Sequence, residues 1–116
     1  MTATTEKERV QLGEKVSVCA EADLPAGERR IVEVGDRKIG VFNCDGSLYA
    51  IEDRCSHDDG PLAEGEFAPA TCTVECPRHG SLFDLTTGRP KTLPAYVPVQ
   101  TFPVTIEDET IQLEVD

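Results

Sequence analysis

The sequence predicts an all-β protein, an antiparallel sheet formed by both ends of the chain with a loop-rich segment inserted in the middle. Three observations carry this. Apolar and polar residues alternate with period two near both termini; Gly-Asp and Asp-Gly pairs punctuate the first half at hairpin spacing; and the eight prolines leave no stretch with three turns of amphipathic helical pattern.

Taken in order, residues 1–13 form a polar N-terminal segment, and its opening, Met1-Thr-Ala-Thr-Thr-Glu-Lys-Glu-Arg, lacks the apolar stretch of a signal peptide. Val16-Ser-Val18 starts the first strand. Arg30–Val34 and Lys38–Phe42 are the next two strands, divided by Gly35-Asp36, and Asp45-Gly46 separates them from Leu48–Ile51, giving a meander of hairpins. From Ile51 to about Leu93 the alternation gives way to Gly, Pro, Cys and acidic residues, with short apolar pieces at Thr71–Val74 and Leu82–Leu85. Val97–Val104 and Thr105–Val115 resume strand character. The expected organisation is therefore a single domain whose β base spans 14–50 and 94–116 and whose inserted subdomain spans 51–93, loops carried on a rigid scaffold.

Asp and Glu outnumber Lys and Arg by 22 to 11, a formal charge of -11 that argues against nucleic acid and anionic membrane as partners and points to a basic protein surface. No run approaches the roughly 20 apolar residues of a membrane span, so a cytoplasmic location is expected. Five cysteines cannot all pair internally, and in a reducing compartment metal ligation is the first reading for them.

Two segments stand out, Cys55-Ser56-His57 and Cys76-Pro77-Arg78-His79-Gly80, separated by the 18 residues from Asp58 to Glu75, and they hold the only two histidines. Each pairs a soft thiolate with an imidazole, and in an extended Cys-x-His both side chains project to one face. Two such loops facing each other supply four ligands, the set of a two-iron cluster in which two His replace two Cys on one iron. A tetrahedral zinc site uses the same residue types and is the competing reading. A catalytic Cys/His pair is weaker, since nothing favours one thiol over two equivalent segments.

These loops, continued through Gly80-Ser81-Leu-Phe83-Asp84, resemble the cluster-binding loops of Rieske-type [2Fe-2S] proteins. The resemblance extends over Gly40-Val-Phe42, Gly46-Ser-Leu48-Tyr49-Ala50-Ile51, Pro61-Leu62, Thr87-Gly88 and Pro94, nearly all of Val16 to Val115. It implies the Rieske fold, an antiparallel β-sandwich base with an inserted loop-built cluster-binding subdomain, a single [2Fe-2S] cluster with Cys55 and Cys76 on the buried iron and His57 and His79 on the outer one, and supporting positions at Gly80, Ser81, Phe83 and Pro94. Ser81 is expected to donate a hydrogen bond to a cluster sulfur, and Pro94 to lie in a loop shielding the cluster.

The quinol-linked members of this family carry an extra cysteine in each loop; Gly60 and Arg78 stand there instead, and Phe83 stands where they place a tyrosine. Asp58 and Asp59 beside His57 add negative charge, so the potential is expected in the lower Rieske range, about -150 to 0 mV. No histidine is left for the mononuclear iron of a terminal oxygenase, and no Gly-x-Gly suggests a nucleotide-binding turn. The resemblance thus implies a non-catalytic one-electron carrier, similar to the Rieske ferredoxins of oxygenase systems, passing electrons from a flavin-dependent reductase to an oxygenase or other acceptor, and expected to be monomeric. An accessory or redox-sensing role in iron-sulfur assembly and a structural zinc module remain as alternatives. Cys19, Cys44 and Cys72 are read as bystanders, Cys19 and Cys72 on strands and Cys44 in a turn.

Overall fold

The computed structural model describes residues 14–56 and 60–115; the polar segment 1–13 lies outside the described residues. Its centre is a four-stranded antiparallel sheet of β2 (Arg29–Val34), β3 (Arg37–Cys44), β4 (Ser47–Glu52) and, on the far side of β4, β8 (Thr101–Phe102). The β3–β4 connection is the tight turn Asp45-Gly46, with φ values of 52° and 107°, as a twist-matched hairpin requires. Asn43 steadies it by accepting the amide of Gly46 at 2.6 Å.

Strand periodicity sends alternate side chains of this sheet into two different cores. Ile39 and Val41 of β3, Ala50 of β4 and Phe102 of β8 pack with Ile111, Leu113 and Val115, whereas Phe42, Cys44 and Ile51 pack with Val74, Phe83 and Leu85. No residue from Ile39 to Cys44 is exposed, because both faces of this strand are covered.

The first cover is a three-stranded sheet in the order β1 (Glu14–Ala20), β10 (Thr110–Val115), β9 (Val104–Glu107), which completes the expected antiparallel sandwich base. Its outer surface carries an ion pair from Lys15 to Glu107, which spans β10 and raises the lysine pKa above its ordinary value through the hydrogen bond and charge of that carboxylate. The second cover is a small antiparallel sheet of β5 (Phe67–Ala68), β6 (Thr73–Glu75) and β7 (Leu82–Asp84). Among the described residues no helix is long and apolar enough to cross a membrane.

Several expectations are corrected. Val97–Val104 keeps strand only in the two residues of β8 and at Val104, which opens β9, since Pro98 and Pro103 offer no ladder donor. Thr105–Val115 is two strands rather than one, divided by a glycine-free turn in which Asp108 and Glu109 have φ of 52° and 63°. Cys44 and Cys72 are not bystanders: they form a disulfide with a Cα–Cα distance of 5.4 Å. Their placement also reverses the expectation, Cys44 ending β3 and Cys72 sitting in the β5–β6 turn with φ 56°. Cys19 is a free thiol on β1, half-buried against the base core.

Candidate metal centre

The first loop leaves β4 through Asp53, whose amide donates to the Lys38 carbonyl at 2.8 Å and whose Oδ1 accepts the amides of Leu62 (2.8 Å) and Ala63 (2.6 Å). One carboxylate therefore holds both ends of the loop, and the Cys55 amide closes it by donating to the Gly60 carbonyl at 2.7 Å. The second loop joins β6 to β7. Cys76 donates to the Ser81 carbonyl (2.8 Å), Gly80 donates to the Cys76 carbonyl (2.9 Å), and Gly80 itself has φ 78°, a conformation for which glycine is suited.

The two loops bring Cys55 and Cys76 into one core, both fully buried, with Phe42, Leu62, Val74 and Phe83. Three residues beyond Cys76, His79 is exposed at the rim. His57 lies outside the described residues. Among those described, no group of three or more His, Cys, Asp or Glu side chains is arranged to hold a metal ion. The donors in view are two sequestered thiols and one surface imidazole, a soft-and-borderline set of the kind iron and zinc both accept.

A third segment, residues 90–98, packs along both loops. Lys91 donates its amide to the Leu82 carbonyl (2.6 Å), Leu82 donates to Thr92 Oγ1 (2.8 Å), and Ser56 Oγ donates to the Val97 carbonyl. Pro94, joined to Leu93 by a cis peptide bond, is exposed at its turn, and Ala95 beyond it is buried. The Ala95 amide donates to the fully buried Ser81 hydroxyl at 3.0 Å, and among the described residues the Ser81 proton has no acceptor. A buried hydroxyl in that state is costly unless something accepts from it, which suits a sulfur-bearing group beside Cys76.

Sequence reasoning passed over Asp53, Arg29 and Gly65. Arg29 donates from one guanidinium nitrogen to the carbonyls of Ala63 and Gly65, bracing the first loop against β2. Only Asp53, two residues before Cys55, carried a local signal, as an Asx residue able to accept backbone amides.

The comparisons with known proteins agree with this geometry. Residues 14–103 match the family model of the Rieske [2Fe-2S] domain. The 3-phenylpropionate/cinnamic acid dioxygenase ferredoxin subunit of Photorhabdus laumondii is 41% identical over 98 residues, covering 84% of this chain and 91% of that one. Among solved structures, the ferredoxin of carbazole 1,9a-dioxygenase from Nocardioides aromaticivorans superposes with a TM-score of 0.82 at 30% identity, covering 88% of this chain and 98% of the other. A ferredoxin chain in a complex of reduced oxygenase and oxidised ferredoxin of carbazole 1,9a-dioxygenase gives 0.79 at 33% identity, covering 85% and 91%. With most of its length matched in sequence and fold alike, this chain belongs to the Rieske [2Fe-2S] domain family.

Proposed function

We propose that this chain is a ferredoxin carrying one [2Fe-2S] cluster, with Cys55 and Cys76 holding one iron and His57 and His79 the other, and that it passes single electrons from a flavin-dependent reductase to a terminal oxygenase. The observation that carries the reading is the separation of donors by depth: two fully buried thiols from two loops share one core, while the imidazole of His79 stands at the surface. The bound cluster supplies a one-electron couple whose potential is raised when neutral imidazoles replace thiolates.

The residues present suit that task. Burial of Cys55 and Cys76 keeps their sulfurs from water and from oxidants. Ser81, buried and with no acceptor among the described residues for its proton, is a donor available to stabilise added negative charge beside Cys76. His79 gives the site a solvent edge through which a partner can be reached, and the segment 90–98 covers the rest. The relatives named as dioxygenase ferredoxin subunits support the partner assignment. Contacts of a shuttling carrier are brief and bury less than about 1,200 Å².

The test is a potentiometric titration of the purified protein followed by electron paramagnetic resonance. A Rieske-type signal with a midpoint of about -150 to 0 mV is expected. A colourless protein with stoichiometric zinc, or a midpoint far above that range, overturns the reading.

A further inference from the structure

The net charge of -11 predicts that partners meet an acidic surface, but the charge is unevenly placed. Of the 22 acidic residues, only Asp84 falls between Cys76 and Ile106, a stretch that also contains Arg78, Arg89 and Lys91. Asp84 is engaged internally, its Oδ1 accepting the amide and hydroxyl of Thr86 at 2.9 and 2.7 Å. Arg89 and Lys91 are exposed, and among the described residues neither side chain has an ion-pair partner.

The apolar surface is uneven in the same place. The large apolar side chains exposed among the described residues are Leu93 and Tyr96, each 77% exposed, Val97 and Ile106, so three of the four lie within five residues. Leu93 and Tyr96 line a groove with Arg89, Pro90, Lys91 and Pro98. That groove adjoins the metal-centre loops: Lys91 and Thr92 are bonded to Leu82, Ala95 to Ser81, and Val97 to Ser56. Exposed leucine and tyrosine flanked by cations form an anchor-and-rim arrangement, with aromatic burial supplying affinity and the charges supplying orientation and encounter rate. Asp58 and Asp59 lie outside the described residues, and the groove is defined without them.

We propose that this groove is the seat of a redox-partner protein and that the partner's contact patch is acidic around an apolar centre, opposite in sign to what the net charge of the chain selects. Arg89 and Lys91 meet carboxylates of the partner, and Leu93 and Tyr96 enter its apolar centre. The inference rests on the electron-carrier reading, whose own failure is seen separately as an absent cluster spectrum before any rate is read.

The experiment uses the cluster-loaded protein, reduced with dithionite and mixed by stopped flow with oxidised plastocyanin, an acidic one-electron copper protein, or with cytochrome c, a basic haem protein, across a salt series. With plastocyanin the rate is expected to fall as salt rises, although both proteins are net acidic. Arg89→Glu with Lys91→Glu lowers the low-salt rate about tenfold and reverses the salt slope, while leaving the rate with cytochrome c equal or higher. Leu93→Ala with Tyr96→Ala lowers the plastocyanin rate at every salt concentration with the slope unchanged. A plastocyanin rate that rises with salt and ignores the charge reversals overturns the proposal, as does an equal loss with both probes.

Discussion

The Ser81 hydroxyl takes the amide hydrogen of Ala95 and sits in a fully buried place beside Cys76, where its own proton has no acceptor among the described residues. If that place holds a cluster sulfur, Ser81 stabilises the reduced, more negative form. Ser81→Ala is then expected to lower the midpoint potential by about 40 mV, the one-electron equivalent of a hydrogen bond worth about 1 kcal/mol. Ser81→Thr, keeping the hydroxyl, restores most of it. A potentiometric titration separates this from a merely structural role, which would lower the melting temperature and leave the potential unchanged. At this scale the pairing of two loops was most readable, because Cys55 and Cys76 fall in two short segments of like composition, and the structure buries both thiols in one core. Arg29 was not readable: it acts on Ala63 and Gly65 across more than thirty residues, and nothing near it in sequence marks a partner.

Elements show a different balance. Strands with period-two alternation and Gly-marked turns were legible, β2, β3 and β4 above all, whereas the two-residue β5 is too short to produce a pattern and the Asp108-Glu109 turn breaks the strand without a glycine to mark it. Close approach between elements was equally invisible. Gly65 packs against the end of β6 so tightly that an added Cβ would lie 1.6 Å from the Glu75 carbonyl oxygen and 2.8 Å from its carbon. Both atoms are backbone, so neither can rotate away. Gly65→Ala must therefore pry the first loop from the strand that leads into Cys76, at an expected cost above about 4 kcal/mol. Denaturant unfolding measures the loss, and iron content per chain shows whether the two loops still meet; a variant with wild-type stability would refute the close packing.

For the whole molecule, the arrangement of two covers over one central sheet centres on β3, whose residues Ile39 to Phe42 are buried on both faces, and the hairpin pattern of that segment did not disclose the second cover. The Cys44–Cys72 disulfide ties that central sheet to the small sheet across 28 residues. Pairing was illegible because spacing does not encode which thiols meet. Closing a loop of this length is worth about 3.5 kcal/mol by the chain-entropy estimate, so Cys44→Ser with Cys72→Ser is expected to lose about that much in a chemical denaturation series, and a reductant is expected to reproduce the loss in the parent chain and not in the variant. The cross-link bears on assembly as well. Four of the five cysteines, Cys44, Cys55, Cys72 and Cys76, belong to the same core, and four thiolates are what an all-sulfur cluster would recruit. Bonded to each other, Cys44 and Cys72 leave Cys55 and Cys76 as the free thiols of that core, so a cluster built there on these two sulfurs would have to complete its ligand set with other residue types. The bond thus withholds two of the four sulfurs in that core from any incoming metal.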